Sequence, residues 1–173
     1  VLLGLAATGA LMLGFADDIL NLRAPPKLLA LLTIAGSLVW LGVRADDLWL
    51  WPSAHLSLPL GVAFAGSVLW LIVVINAVNF MDGANGLSMG MGLIASLGFA
   101  AATSLCGLWH LALIAAALAG GLAGFLVWNI NGRLFAGDAG ALFTGLMLGA
   151  LGLELVHLRP DLRFATIRGN VAT

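Results

Sequence analysis

The feature that most constrains this chain is a long stretch that is almost free of charge. Between Asp47 and Arg133 the single Asp, Glu, Lys or Arg residue is Asp82. An ionised carboxylate in hydrocarbon costs about 2.5–3.5 kcal/mol on insertion scales. The chain is 62% hydrophobic and 9% charged, with a mean hydropathy of +1.11, whereas soluble proteins are roughly 25% charged. These values exclude a soluble globular domain and predict a membrane protein in which Asp82 has a specific role.

Six apolar runs separated by polar seams divide the chain. A helix needs about 17–25 mostly apolar residues to cross a bilayer. The runs cover residues 1–16, 28–43, 60–80, 87–103, 111–128 and 141–158. We therefore predict an all-α, polytopic membrane helix bundle of about six spans, whose short polar loops carry the active site. In this prediction residues 1–158 form the membrane core and residues 159–173 form a polar C-terminal tail.

The seams have their own signals. Pro25 and Pro26 are expected to stop any helix between the first two spans. The Trp-rich stretch LWLWPSAHLSLP, residues 48–59, is amphipathic and is expected at a membrane interface. The chain opens at Val1 directly into an apolar run, without a basic segment or a cleavage site, so we expect a partial chain that lacks its beginning. The sequence has no Lys/Arg cluster that would indicate nucleic-acid binding.

Counting crossings assigns the acidic residues to sides of the membrane. The carboxylates that follow odd-numbered spans are Asp17, Asp18, Asp82 and Asp138. Two crossings separate each of these motifs from the next, so all four carboxylates are predicted on one side. The pair Asp46–Asp47 follows the second span and is predicted on the other side. Arg23, Lys27 and Arg133 share the side of the four carboxylates, and Arg44 lies on the other. The loops therefore place the carboxylate side in the cytoplasm by the positive-inside rule, although Arg159, Arg163 and Arg168 of the tail count against it.

The residue types around these carboxylates indicate phosphate chemistry. Asn76, Asn79 and Asp82 are spaced to follow one another down one helical face. The glycines of GRLFAGDAG, around Asp138, let a backbone approach a phosphate closely. Each motif alone also has a structural interpretation: a solvated helix end for Asp17–Asp18, a capped helix–turn–helix for NAVNFMDGANG and a flexible loop for GRLFAGDAG. Carboxylates and a few cations together at a membrane–water boundary predict a Mg²⁺ site that handles phosphates.

At these residues the sequence resembles a known family. GFADDILNLR, NAVNFMDGANGL and FAGDAGALF resemble, in order, three signature segments of the polyprenyl-phosphate N-acetylhexosamine-1-phosphate transferases. This is the glycosyltransferase 4 family, which includes undecaprenyl-phosphate GlcNAc-1-phosphate transferases and phospho-N-acetylmuramoyl-pentapeptide transferase. The NFMDG wording resembles the O-antigen and teichoic-acid branch more than the muramoyl-pentapeptide branch.

The resemblance implies an activity and its location. Family members move a sugar-1-phosphate from a UDP-sugar to undecaprenyl phosphate, release UMP and use Mg²⁺, with Mn²⁺ as an alternative. The implied setting is the bacterial inner membrane, at the start of O-antigen, teichoic-acid or peptidoglycan synthesis. The implied partners are undecaprenyl phosphate, a UDP-N-acetylhexosamine and membrane lipids, and a homodimer is allowed.

The resemblance also implies residue roles. The catalytic residues are Asp17 and Asp18, which engage the lipid phosphate or its proton, and Asp82. Asp138 binds the metal. The residues implied to contact substrate are Lys27, which meets a phosphate, Asn79, and the nucleotide-side residues Asn85 and Phe135. The chain departs from the family at Ala141, where a serine is usual, and in having no His-rich loop.

Two other functions remain open at this stage. A secondary transporter also uses carboxylates in a membrane, but it favours acids near the bilayer midplane and inverted repeats. Here the acids are predicted at span ends. A catalytically inactive fragment that only assembles in membranes is the second alternative.

Overall fold

Six helices form most of the fold in a computed structural model that describes residues 2–51 and 54–157. They are α1 (Leu2–Leu20), α2 (Ala24–Trp40), α3 (Leu60–Met81), α4 (Leu87–Leu105), α5 (Trp109–Asn129) and α6 (Gly137–His157). Five of them are long and apolar enough to cross a membrane, and α2, with 17 residues, is shorter. The predicted all-α membrane bundle is confirmed, and the chain is that of a multi-pass membrane protein. The predicted tail, residues 159–173, lies outside the described residues.

The acidic motifs lie inside helices rather than in the loops beside them. α1 continues through Asp17 and Asp18 and ends at Leu20. α6 begins at Gly137, so Asp138 lies in its first turn. Both helices are therefore longer at these ends than the predicted spans. Polar side chains are favourable at a helix end because its backbone groups lack partners within the helix. The carboxylates are therefore fixed to rigid backbone.

The two prolines begin a helix. α2 starts at Ala24, and Pro25 and Pro26 occupy its first turn. The prediction that these prolines stop any helix was wrong at this position. In the first turn the backbone N–H has no intrahelical partner, so proline loses nothing there, and its fixed φ suits the helix.

The Trp-rich stretch forms a β-hairpin. β1 (Asp47–Trp51) pairs antiparallel with β2 (Ala54–Ser57), with Asp47 opposite Ser57. The sequence prediction placed an amphipathic segment here without naming strands. Aromatic residues favour extended backbone, and pairing of the two strands satisfies their N–H and C=O groups. An interfacial position for this hairpin stays a prediction.

α6 lies at the centre of the bundle and packs against α1, α3 and α4. Small residues allow backbones to approach closely. A Cβ atom on Gly14 would overlap the Cα of Ala139, and one on Gly145 would lie 2.7 Å from the Cα of Ile75. Such van der Waals packing drives helix association in lipid, where apolar side chains gain little by avoiding the solvent. Phe80 is 89% exposed, which is expected for an apolar side chain on the outer face of a membrane protein.

Successive helices place the polar segments at two ends of the bundle. The carboxylate end consists of residues 17–27, 79–88 and 129–139, which are joined by hydrogen bonds between helices. The hairpin end consists of residues 44–48, 56–58 and 153–157, where His157 Nδ1 lies 3.9 Å from Asp46 Oδ2. The 22 residues of α3 separate the two ends, a distance of about 33 Å at the helical rise of 1.5 Å per residue.

Candidate active site

Asp18 joins the end of α1 to the start of α6. Its Oδ1 accepts the backbone N–H of Asp138 at 2.8 Å, and its Oδ2 accepts that of Ala139 at 3.1 Å. A carboxylate there satisfies two orphan donors and meets the positive end of the helix dipole. Gly137 allows this approach: it has a φ of +61°, and a Cβ there would lie 2.7 Å from Asp18 Oδ2. Asp18 therefore caps α6 from another helix.

Lys27 lies between two carboxylates that are far apart in sequence. Its Nζ is 2.6 Å from Asp17 Oδ2 and 2.5 Å from Asp138 Oδ2. The other oxygen of Asp17 accepts the N–H of Leu22 at 2.7 Å. Asn79, in the last turn of α3, donates its side-chain amide to Asp138 Oδ1. Asp138 is thus fixed by groups from two other helices.

Asp82 directly follows α3 and is held by the start of α4. Its Oδ1 accepts the hydroxyl of Ser88, which is buried. Burial raises the pKa of the Asp82 carboxyl above its usual range, against the opposing effect of the Ser88 hydrogen bond. The carboxylates of Asp138 and Asp18 add to the rise in this pKa, since like charges disfavour ionisation. Asp82 is therefore more ready to hold a proton than an exposed aspartate.

These residues surround one open, polar cavity of about 490 Å³. Its lining consists of Asp17, Asp18, Asn21, Leu22, Asn79, Asp82, Gly137 and Asp138. The structure thus brings together the four carboxylates that the crossing count predicted on one side. Lys27 is the partner of two of them. A cavity lined by four acids, two of which share Lys27 as their partner, attracts cations.

The sequence matches a family model over residues 1–156, described as glycosyl transferase family 4. This chain belongs to glycosyl transferase family 4. Curated relatives named phospho-N-acetylmuramoyl-pentapeptide-transferase include those of Clostridium beijerinckii, 34% identical over 83% of this chain and 48% of that protein, and of a Picosynechococcus species, 37% identical over 82% and 42%. That of Desulfitobacterium hafniense is 34% identical over 95% of this chain and 55% of its own length.

The family match bears out the resemblance inferred from the three motifs. The chain spans about half the length of the curated relatives it matches. These three relatives all carry the muramoyl-pentapeptide name. The expectation that the NFMDG wording favours the O-antigen and teichoic-acid branch gains no support from them.

Two residues that the resemblance placed on the nucleotide side lie outside the cavity lining. Asn85 is exposed in the turn between α3 and α4, and Phe135 is 70% exposed just before α6. Asn76 is also exposed, and its side-chain amide bonds to Ile72 O within its own helix. Asn76, Asn79 and Asp82 therefore do not form the continuous helical row that was predicted. α3 ends at residue 81, so the helical spacing does not reach Asp82.

Two residues that hold this end of the bundle together are not among the predicted site residues. Ser88 holds Asp82, and Asn129 bonds to both neighbouring loop segments. Their sequence signal is weak but definite: each is a hydrogen-bonding side chain at the end of an apolar helix. Such a group needs a partner when it is buried. The sequence shows the need for a partner but does not identify it.

The donor set suits a magnesium ion. Mg²⁺ is held by one or two carboxylates together with water and substrate phosphates. Within residues 2–51 and 54–157, no three His, Cys, Asp or Glu side chains converge as a complete metal cage. Asp138 provides carboxylate oxygens at the cavity, and the four acids that line it outnumber Lys27. The residues therefore fit a metal that relies on its substrate for further ligands.

Proposed function

We propose that this chain carries the reaction site of a phospho-sugar transferase. The enzyme moves an N-acetylhexosamine-1-phosphate from a UDP-sugar to undecaprenyl phosphate and releases UMP, the first membrane step of cell-envelope polysaccharide synthesis. The observation that carries the proposal is the meeting of Asp17, Asp18, Asp82 and Asp138 around one polar cavity. Family membership and the relatives' names support the same class of reaction.

The reaction joins two anions. An oxygen of the lipid phosphate attacks the phosphorus next to the sugar, the bond from that phosphorus to the UMP oxygen breaks, and UMP leaves with the electron pair. Lys27 supplies one positive charge at the cavity. Asp138, at the same cavity, would hold Mg²⁺ or Mn²⁺. When bound, such a metal neutralises phosphate charge in both substrates.

We assign Asp82 the role of proton acceptor from the lipid phosphate. Its pKa is raised by burial and by neighbouring carboxylates, which makes it a stronger proton acceptor than an exposed aspartate. Both side-chain oxygens of Asp17 and of Asp18 are already engaged. Asp17 accepts one hydrogen bond and forms one ion pair, and Asp18 accepts two hydrogen bonds. Their direct contact with the lipid phosphate stays a prediction, and their contacts support a role in fixing Lys27 and α6.

An apolar cavity beside the site supports a lipid substrate. It measures about 520 Å³ and lies between α4, α5 and α6. Its lining includes Ala136 and Gly140, which flank Asp138 in the chain. An isoprenoid chain placed there stays in an apolar environment while its phosphate reaches the polar cavity. A reaction between a lipid and a nucleotide therefore takes place at helix ends.

We further propose that the carboxylate end faces the cytoplasm of a bacterial inner membrane. Arg23, Lys27 and Arg133 lie at that end, and Arg44 lies at the hairpin end. An excess of Lys and Arg in short loops marks the cytoplasmic side. The sugar can be N-acetylmuramoyl-pentapeptide, as in the relatives' names, or a plain N-acetylhexosamine.

The test is UMP release by membranes that contain the protein. UDP-N-acetylglucosamine and UDP-N-acetylmuramoyl-pentapeptide are supplied in parallel, each with undecaprenyl phosphate and Mg²⁺. We expect release with one of them, dependent on both the lipid and the metal, and reduced by about 10²–10³ in Asp138→Asn at matched expression. Release that does not require undecaprenyl phosphate, or no release with any UDP-N-acetylhexosamine, would contradict the proposal.

A further inference from the structure

A second apolar cavity lies at the hairpin end of the bundle. It measures about 440 Å³ and lies between the hairpin, α3 and α6, with Leu48, Trp70 and Leu153 in its lining. Ligand pockets usually measure about 300–1,000 Å³, so this cavity is large enough to hold a ligand or part of one. Among the described residues, it shares no lining residue with the 520 Å³ cavity, which lies between α4, α5 and α6.

Two hydrogen bonds fix the walls of this cavity. Trp70 Nε1 donates to the backbone oxygen of Gly149, on α6, at 3.0 Å. Gly152 lets the indole pack closely on α6, since a Cβ there would lie 3.4 Å from the Trp70 ring. The buried Ser67 hydroxyl accepts the N–H of Ala45, just before the hairpin, at 3.0 Å. The cavity therefore lies between elements that are tied to one another.

The lining favours a ligand without polar groups. Among the described residues, Ser67 and Trp70 carry the only polar side-chain atoms of the lining. The single donor of the indole is already used, and the Ser67 oxygen is engaged with the backbone. A site for a polar molecule presents a few convergent hydrogen-bonding groups. This lining suits a hydrocarbon chain instead.

Part of the lining faces outward, toward the bilayer. Leu48, Val62 and Trp70 line the cavity and are also exposed, so a chain can enter sideways from the leaflet at the hairpin end. An empty apolar cavity forfeits van der Waals contacts of its lining, and a lipid chain restores them. The isoprenoid chain of the proposed substrate has its own cavity, and its phosphate is proposed at the carboxylate end.

Charges at the hairpin end suit a headgroup of mixed sign. Arg44 precedes Ala45, a lining residue, and its Nε donates to Asp46 Oδ1 at 2.6 Å. A guanidinium offers five N–H donors, so this group can hold Asp46 and a phosphate oxygen together. Asp47 follows, and its Oδ1 accepts the hydroxyl of Ser57. An arginine for the phosphate and carboxylates for an ammonium group match phosphatidylethanolamine.

We propose that this cavity holds one acyl chain of a zwitterionic phospholipid, with the headgroup beside Arg44 and Asp47. The chain contacts the hairpin, α3 and α6 at once and supports the hairpin against the bundle. The proposal is independent of the proposed function, because α3 separates this end from the carboxylate end by about 33 Å. Its test does not measure UMP release.

Two glycines provide a matched pair of variants. Gly66 lines the cavity, and a Cβ there would meet nothing within 4 Å, so Gly66→Leu extends into free space. Gly98, on α4, is also exposed, and a Cβ there would likewise meet nothing within 4 Å. Both glycines lie inside long helices, so replacement by leucine brings the same gain in helix propensity. A difference between the variants therefore reports on the cavity.

The measurement is the number of lipids that each protein retains. Wild type, Gly66→Leu and Gly98→Leu are reconstituted in vesicles of phosphatidylethanolamine and phosphatidylglycerol, extracted in detergent and analysed by native mass spectrometry during stepwise delipidation. We expect wild type and Gly98→Leu to retain one phosphatidylethanolamine under conditions in which Gly66→Leu retains none, because leucine fills the cavity. Added undecaprenyl phosphate should leave that lipid in place. Equal retention by all three proteins, retention of phosphatidylglycerol instead, or displacement by undecaprenyl phosphate would overturn the proposal.

A second measurement needs no substitution. Phosphatidylethanolamine with a photoactivatable diazirine on its acyl chain is crosslinked to the wild-type protein, and the crosslinked residues are mapped by mass spectrometry. We expect crosslinks at Val62, Trp70 and Val156, which line the cavity, to exceed those at Ile94 and Leu97, which are exposed on α4. Equal labelling of the two faces would overturn the proposal, even if Gly66→Leu failed to fold.

Discussion

The tripeptide Ala-Asp-Asp occurs twice in this chain, once at each end of the bundle. Residues 16–18 lie near the C-terminal end of α1, and residues 45–47 lead into the first strand of the hairpin. Asp17 and Asp18 are bound to Lys27 and to the start of α6, which lies 120 residues away from Asp18. Asp46 and Asp47 are bound to Arg44, two residues away, and to Ser57 on the paired strand. The same residues line a polar cavity at one end, whereas at the other end their shortest side-chain contacts are local and His157 lies 3.9 Å from Asp46.

The difference follows from what surrounds each pair. Asp17 is buried, and its carboxylate faces other helices of the bundle. Asp46 has 36% of its side chain exposed, and its ion pair with Arg44 is local. A buried carboxylate needs hydrogen-bond or ion-pair partners, whereas a carboxylate at the surface is hydrated by solvent. Site chemistry therefore depends on helix packing as much as on residue type.

The sidedness of the two ends has an all-or-none test. In a Cys106→Ala background, single cysteines replace Asn21, Asn131 or Leu56, all of which are exposed. We expect a membrane-impermeant maleimide to label Leu56→Cys in intact cells, and the other two only after permeabilisation. Labelling of Asn21→Cys and Asn131→Cys from opposite sides would break the comparison, since α1 and α6 then could not share a site.

Removal of one charge should separate the two acidic pairs in activity. Asn is nearly isosteric with Asp and removes the carboxylate charge. We expect Asp138→Asn and Asp17→Asn to reduce UMP release by about 10²–10³, the usual loss for one transition-state contact. Asp46→Asn and Asp47→Asn should stay near wild type. Equal losses at both ends would show that the carboxylate end has no special role.

A single added methyl group tests the packing of the carboxylate end. Gly14→Ala places a Cβ where the backbone of Ala139 lies, whereas Gly4→Ala, on the same helix, meets nothing within 4 Å. Overpacking usually costs about 1–3 kcal/mol, so we expect a lower unfolding temperature in detergent for Gly14→Ala. UMP release should fall with it, because Asp18 moves away from α6. Equal stability of the two variants would contradict this packing.

The two ion-paired bases offer the smallest and most discriminating contrast. Lys27 is 18% exposed and faces two carboxylates, whereas Arg44 is 27% exposed and faces one. Lys27→Met should lower the free energy of unfolding by up to about 3 kcal/mol, because it leaves the carboxylates of Asp17 and Asp138 without their shared cation. Arg44→Met should cost about 0–1 kcal/mol, the range of surface pairs. Thermal unfolding of both variants measures the difference.

Removing Lys27 should also strengthen binding of divalent cations. The ammonium group occupies an oxygen of Asp138, which is the proposed metal ligand. A titration of Mn²⁺ followed by its electron paramagnetic resonance signal should show tighter binding in Lys27→Met than in wild type, while Arg44→Met stays unchanged. Weaker binding in Lys27→Met would show instead that the lysine orients Asp138 for the metal.

The amino-acid sequence by itself determined the solvent, the number of helices in the described residues and the grouping of the four site carboxylates at one end of the bundle. Long runs without charge require lipid, and lipid requires helices that satisfy their own backbone. Once the helices cross in alternation, Asp17, Asp82 and Asp138 must share one side. These conclusions need only local composition and parity, so no knowledge of packing was required.

Only the tertiary structure decided which groups touch. It placed Lys27 between Asp17 and Asp138, put Asp18 on the N-terminus of α6, and gave Asn129 its two loop partners. It also left Asn85 and Phe135 outside the cavity lining. Helix rotation and close approach at residues such as Gly14 fix these contacts. Both depend on shape complementarity between segments far apart in the chain, which hydropathy and spacing do not encode.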